Sequence, residues 1–183
     1  MILETKCLIL RPWEDADAEI LYKWASDPDV GPRAGWPPHT SVENSLEIIH
    51  GPLGEPETYA LVLKETGEPI GSAGLFPPEE FCSPADLPEG VVQLELGYWI
   101  AKPYWGRGLV PEAGRELLRH AFEDLGCVMA HCCHFDFNAQ SKRVIEKLGF
   151  TYHTTREVVC SQLGETRTDV CYILPRGEWE KIR

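Results

Sequence analysis

The stretch from Val91 to Glu112, VVQLELGYWIAKPYWGRGLVPE, limits the fold more than any other part of the chain. A β-rich run stops at Pro103, a turn containing Gly106 and Gly108 follows, and an amphipathic helix starts at once. A strand followed directly by a helix and another strand predicts a right-handed parallel crossover over residues 91–135. The turn itself suits an anion. The first N–H groups of a helix lack intrahelical partners and the positive end of its dipole lies there. Glycine lets a phosphate approach the backbone, so a pyrophosphate fits against the N–H groups from Gly106 through Arg107, Gly108 and Leu109 to Val110. Arg107 adds a charge. Pro111 suits a first helical turn but offers no N–H. The plainer alternative is a strand-to-helix turn with no ligand.

Composition narrows the classes. The chain has 183 residues, 43% hydrophobic and 25% charged, which predicts one domain over 1–183 with a sizeable core. No apolar run approaches the roughly 20 residues that span a bilayer, so no membrane partner is expected. The opening MILETKCLILRP carries an acid and resumes as a strand, unlike a signal peptide. Seven cysteines without a CxxC point to reduced thiols and a cytoplasmic protein. A net charge of -12 argues against nucleic acid as a partner and favours a cationic substrate, an amine or a basic peptide. The same charge serves solubility equally well.

In chain order, Cys7–Arg11 reads as a strand, and Asp15 or a neighbouring acid opens a helix with Ile20, Leu21, Trp24 and Ala25 at helical spacing. After the loop GPRAGWPPHT, Ser41 caps a short helix to His50. Tyr59–Leu63 and Pro69–Phe76 form a hairpin around Gly67, and an acidic, proline-rich loop runs from Phe76 to Gly90. The central helix has Ala113, Leu117, Leu118, Ala121, Phe122 and Leu125 as its buried stripe and Gly126 as its C-cap. Val128–Phe135 is a strand, Asn138 to Gly149 a helix, and Phe150–Val159 with Arg167–Leu174 a final hairpin. The order β-α-α-β-β-β-α-β-α-β-β predicts an α/β protein, a mixed sheet with helices on both faces in three layers.

A second motif follows the first by about thirty residues: Asn138-x-x-Ser141-Lys142-Arg143, closing in Lys147-Leu148-Gly149-Phe150. Asn138 is a good N-cap and can instead bond a ligand amide. Ser141 lies one helical turn on. Lys142 and Arg143 meet phosphate or are solvated charges. His131-Cys132-Cys133-His134 invites a metal reading. On a strand, however, these side chains alternate faces and cannot all reach one ion, so no metal is expected.

Together these motifs resemble the GNAT superfamily of acyl-CoA-dependent N-acetyltransferases. The opening Leu8-Ile9-Leu10-Arg11-Pro12-Trp13, with Asp17 after it, and the Gly35-Trp36-Pro37-Pro38 loop are similar to the branch containing the ribosomal-protein alanine N-terminal acetyltransferases. The resemblance covers essentially the whole chain. It implies a V-shaped opening where the Val91 and Val128 strands splay apart, with acetyl-CoA as co-substrate and no metal. It places pantetheine along the backbone near Trp99, Ile100 and Ala101, and pyrophosphate at the Trp105–Val110 turn. Asn138, Ser141 and Lys142 then lie along the thiol and phosphate arm. Trp105 stands where the superfamily has Gln or Arg, and Val110 where it has Gly or Ala.

The implied chemistry is attack of an amine on a thioester carbonyl. A base accepts the amine's proton, donors hold the oxyanion, and an acid serves the leaving thiolate. Ile145 stands where many members have a catalytic Tyr. The branch resembled places a Ser near the sulfur, which corresponds to Ser141. Glu95, on the side of its strand shared with Gly97 and Trp99, is the first candidate base. Glu157 and Glu43 stand behind it, and an amine already neutral needs none. Trp36 is read as a wall of the acceptor site, or as packing. The expected acceptor is a peptide N-terminus or a small amine. A non-catalytic acyl-CoA-binding module and an enzyme that acetylates a toxic amine or antibiotic are the rival readings, and a homodimer through the final hairpin or the splayed sheet stays open.

Overall fold

The structure, a computed structural model, describes residues 1–78 and 90–183. Residues 79–89 of the expected acidic loop lie outside them. Among the described residues, eight strands make one mixed sheet: β1 (Leu3–Glu4), β2 (Leu8–Arg11), β3 (Thr58–Leu63), β4 (Pro69–Phe76), β5 (Gln93–Ile100), β6 (Met129–Phe135), β7 (Thr151–Cys160) and β8 (Glu165–Pro175), in the order β1-β2-β3-β4-β5-β6-β8-β7. The helices are α1 (Ala18–Ala25), α2 (Val42–His50), α3 (Leu109–Arg119), α4 (Ala139–Lys147) and α5 (Arg176–Ile182). All neighbouring strands pair antiparallel except β5 and β6, which are parallel and joined through α3. No helix among the described residues is long and apolar enough to cross a membrane.

Local chemistry places the helices. Ser41 accepts a hydrogen bond from the Asn44 N–H at 3.1 Å, and Asn138 accepts one from the Ser141 N–H at 3.2 Å, so both expected N-caps are made. Gly126 and Gly149 close their helices at positive φ, 71° and 87°. The helix expected to run on to Leu125 instead ends in a π-helical turn at His120–Asp124. There the fully buried His120 is bonded to Glu57 at 2.9 Å and to Asp124 at 2.8 Å.

Two elements go beyond the sequence reading. Strand β1 has two residues and exists only through pairing with Leu10 and Ile9. Helix α5 is short and is held by Trp179, which is buried and stacked on Phe122 at 4.9 Å between ring centroids. Neither carries a period long enough to read locally.

The sheet separates two cores. On one face Leu8, Leu10, Leu61, Ile70 and Leu96 pack against Ala113, Leu117, Leu118 and Phe122 of the α3 segment and Ile145 of α4. On the other, Ala60 and Val62 meet Leu21 and Ala25 of α1 and Ile49 of α2. Strand β3 is buried at every position because both faces are covered. At β4, Gly71 lies opposite Ile100, and a Cβ there would overlap the Trp99 carbonyl oxygen and lie 2.9 Å from the Ile100 Cα. Only glycine allows the two backbones this approach.

Glu112 ties α3 to the start of the sheet, its Oε1 accepting from the Thr5 hydroxyl at 2.5 Å and the Cys7 N–H at 2.6 Å. Burial pushes its carboxyl up, but these hydrogen bonds outweigh it and hold it below the usual carboxylate range. Its stabilisation is therefore complete above the unfolded value of about 4.3 and is lost as pH falls through the lower folded value. Glu112→Gln is expected to cost about 1–3 kcal/mol at pH 7. The cost should shrink at pH 3, as read from urea denaturation at both pH values. Gly71→Ala is expected to destabilise by about 1–3 kcal/mol through overpacking, measured the same way.

Candidate active site

The site begins where one hydrogen-bond ladder ends. Strands β5 and β6 are in register only at Gln93–Met129, Leu94–Ala130 and Glu95–His131. Beyond these, β5 stays with β4 as far as Ile100, and β6 stays with β8 as far as Phe135. The two therefore diverge into a V, and a cavity of about 730 Å³ lies between them. Strand β5, the turn 104–110, β6, α4, β7 and the 30–35 segment all contribute walls.

Backbone direction along β5 follows from two fixed bonds. The Val128 N–H donates to the Val92 carbonyl, and the Ala101 N–H donates to Ile70 at 2.8 Å. Even-numbered residues of β5 thus turn their N–H and C=O toward β6 and the opening, and odd-numbered ones toward β4. Of Trp99, Ile100 and Ala101, only Ile100 presents its backbone to the cleft. Ala101 departs furthest from expectation, since its N–H is held by Ile70 and its carbonyl by the Tyr104 N–H. Tyr98, which the sequence reading passed over, presents its backbone instead. The Ile100 carbonyl accepts from the Trp105 indole N–H at 2.8 Å. The guanidinium of Arg33 covers the same indole at 5.3 Å.

The turn has the form expected. Gly106 and Gly108 have φ of 76° and 79°, and a Cβ on either would meet nothing within 4 Å, so the backbone is open to a large group. The first helical bond runs from the Glu112 N–H to the Gly108 carbonyl, which leaves the Leu109 and Val110 N–H groups ahead of the ladder. These residues fit a pyrophosphate. Arg107 does not join them: its guanidinium lies over Tyr104 at 5.1 Å, and it lines a smaller cavity with Lys6 and Lys64. Lys142 is exposed and sits 3.9 Å from Glu146 instead of lining the cleft. Arg33, over Trp105 of the turn, Arg143 and Lys147 of α4, and Arg156 of β7 are the basic residues that line the cleft.

Ser141 lines the cleft, and its hydroxyl lies 2.8 Å from the Tyr98 hydroxyl. Burial, with Cys132 nearby, pushes the Tyr98 phenol well above its ordinary value, so it stays protonated at neutral pH. Asn138 caps α4 and also donates to the Arg33 carbonyl at 3.4 Å, tying the helix to the 30–35 segment. Ile145 is fully buried in the core.

The other face of β5 carries Glu95, Gly97 and Trp99. Glu95 and Trp99 both line the cleft. Trp36 stands behind Trp99, edge-on at 5.6 Å, and Trp13 stacks on Trp99 at 6.4 Å. Trp36 thus braces the wall without forming it. Glu43 and Glu157 are exposed and outside the cleft lining. In β6, Ala130 and Cys132 point into the α3/α4 core, so Cys133 and His131 take the opposite face, as alternation requires. The buried His134 does line the cleft, with Nδ1 2.7 Å from the Phe135 carbonyl.

Replacing Trp105 with Phe keeps a ring beneath Arg33 and frees the Ile100 carbonyl. Trp105→Phe is expected to tighten acetyl-CoA binding by roughly 2- to 10-fold, the worth of one net hydrogen bond, measured by calorimetry.

The sequence profile of the acetyltransferase (GNAT) domain matches residues 8–151. The uncharacterized N-acetyltransferase p20 of Bacillus licheniformis is 28% identical over 153 residues, 81% of each chain. A Bacillus subtilis protein named as a ribosomal N-acetyltransferase, YdaF, is 35% identical over 86 residues, 47% of each chain. Among solved structures, a GNAT-family acetyltransferase from Bacillus anthracis shares the fold with a TM-score of 0.80 over 97% of this chain and 100% of its own, at 18% identity. With its profile match, its splayed β5–β6 cleft and its glycine turn at the head of α3, the chain belongs to the GNAT acetyltransferase family.

Proposed function

We propose that the protein moves an acetyl group directly from acetyl-CoA to a primary amine, a peptide N-terminus or a small amine, within a ternary complex. The observation that carries this reading is the division of the cleft. Backbone N–H groups, Arg33, Arg143 and Lys147 gather toward the turn and α4, which suits an anionic donor. Glu95 and the Trp99 ring lie on the other face of the sheet, where Asp169 is paired with Arg156 at 3.5 Å; the Glu95 carboxylate and the ring suit a cationic amine.

Bound acetyl-CoA supplies an activated acetyl thioester. The Gly106–Val110 amides hold its pyrophosphate, and the even-numbered backbone groups of β5 align its arm. Glu95 takes the proton that the amine nitrogen releases as its new bond to the acetyl carbon forms. The Tyr98 N–H faces the opening and meets the charge that develops on the carbonyl oxygen. Ser141 gives its proton to the departing sulfur and regains one from solvent, to which Glu95 releases the proton it took, while the Tyr98 hydroxyl, still protonated and 2.8 Å away, orients the serine. A hydroxyl borne by β5 thus supports the serine of α4, while Ile145 serves the core.

A first test is thermal stability with acetyl-CoA and with CoA, for which a hundredfold excess over Kd adds about 2.7 kcal/mol. Thiol release is then followed with N-terminal peptides and small amines. Binding without turnover across the panel would defeat the enzymatic reading. Ser141→Ala is expected to lower kcat by roughly 100-fold or more while leaving acetyl-CoA affinity within about 3-fold. Glu95→Gln should abolish one limb of the kcat/KM pH profile. A Ser141→Ala enzyme as fast as the parent would remove the serine from the mechanism.

A further inference from the structure

The pairing of β6 with β8 assembles a cluster that no local motif announces. Cys133 lies directly opposite Cys171, and Asp169 is two residues before Cys171 on the same face of β8. One ligand atom from each, the two Sγ atoms and a carboxylate oxygen, lie within 4.8 Å of one another. Neither cysteine is in a disulfide. Cys171 and Asp169 are buried at 1% and 8% exposure, while Cys133 and Asp169 both line the cleft.

We infer that Cys133, Asp169 and Cys171 form a binding site for a borderline-soft divalent cation, of which zinc is the natural example. Thiolates and carboxylates are the donors such an ion takes, at about 2.0–2.3 Å. Tetrahedral ligands at that distance are separated by roughly 3.3–3.8 Å, so rotamer adjustments of the order of 1 Å close the site. The charges also balance. Two thiolates and a carboxylate are matched by a divalent cation together with the Arg156 guanidinium, which lies 3.5 Å from the Asp169 carboxylate. Binding releases the two thiol protons to solvent and forms two metal–sulfur bonds and one metal–oxygen bond, with no change of oxidation state. Three protein ligands leave a fourth position, and the cleft lining of Cys133 and Asp169 directs it toward the amine side of the cavity. The bound ion therefore inhibits acetyl transfer by occupying the amine's approach. Inhibition rests on the function proposed above, whereas binding does not.

Metal-free, reduced protein is titrated with Co²⁺ and read by absorption. Thiolate-to-cobalt charge transfer and four-coordinate visible bands are expected to saturate at about one ion per chain and to be displaced by Zn²⁺. Cys133→Ser should lose the charge-transfer signal, and Asp169→Asn should weaken affinity by at least about 10-fold. Cys160→Ser, altered in a thiol outside the cluster, should keep the signal. Circular dichroism and a retained acetyl-CoA thermal shift show that each variant is folded. No charge transfer in the parent, or an undiminished signal in folded Cys133→Ser, overturns the site. Zinc that binds without slowing acetyl transfer overturns the inhibition alone, and failure of the acetyl-CoA shift or of turnover identifies failure of the parent reading.

Discussion

The parting of β5 from β6 after Glu95 and His131 is the constraint on which the site depends. A strand in the middle of a sheet ordinarily has both rows of backbone groups paired, and an inner edge left without partners is costly unless something meets it. Here each strand keeps its outer neighbour and gives up its inner one. Leu96, Tyr98 and Ile100 therefore turn N–H and C=O groups into a cavity. An extended ligand with amide groups can complete that ladder as a strand would, which is the physical link between this fold and an acyl-CoA arm.

Departures from the family pattern take on definite roles in this setting. Trp105 occupies the Ile100 carbonyl with its indole N–H, closing the end of the exposed edge. Ile145 fills core where a tyrosine was a candidate, and a tyrosine hydroxyl reaches Ser141 from β5 instead. Arg107, next to the open glycines in sequence, stacks on Tyr104 and leaves the cleft to Arg33, Arg143, Lys147 and Arg156. Adjacency in sequence is a poor guide to charge placement at a helix start, because successive side chains there point in widely different directions.

The two faces of the sheet separate the chemistry. The α3/α4 face holds the turn, Ser141 and the protonated Tyr98. The opposite face holds Glu95, Trp99 with its Trp13 and Trp36 supports, and the Cys133–Asp169–Cys171 cluster. Strict alternation along β5, β6 and β8 produces this division, and it also prevents His131 to His134 from converging on one ion.

The sequence by itself determined the order of every strand and helix but β1 and α5, the parallel β5–α3–β6 unit, the glycine turn, the Ser41 and Asn138 caps and the buried stripe from Ala113 to Phe122. Each is governed by contacts within a few residues: hydrophobic period, cap hydrogen bonds and glycine's access to positive φ. Tertiary structure alone decided which β5 residues face the opening, since that parity is set by the bonds to Ile70 and Val128. It also decided that Tyr98 meets Ser141, that Ala101, Lys142 and Arg107 turn elsewhere, and that Trp36 braces Trp99. Strand β1, helix α5 and the pairing of Cys133 with Cys171 belong to the same class. These depend on register and packing between segments far apart in the chain, and no local pattern of residues encodes them.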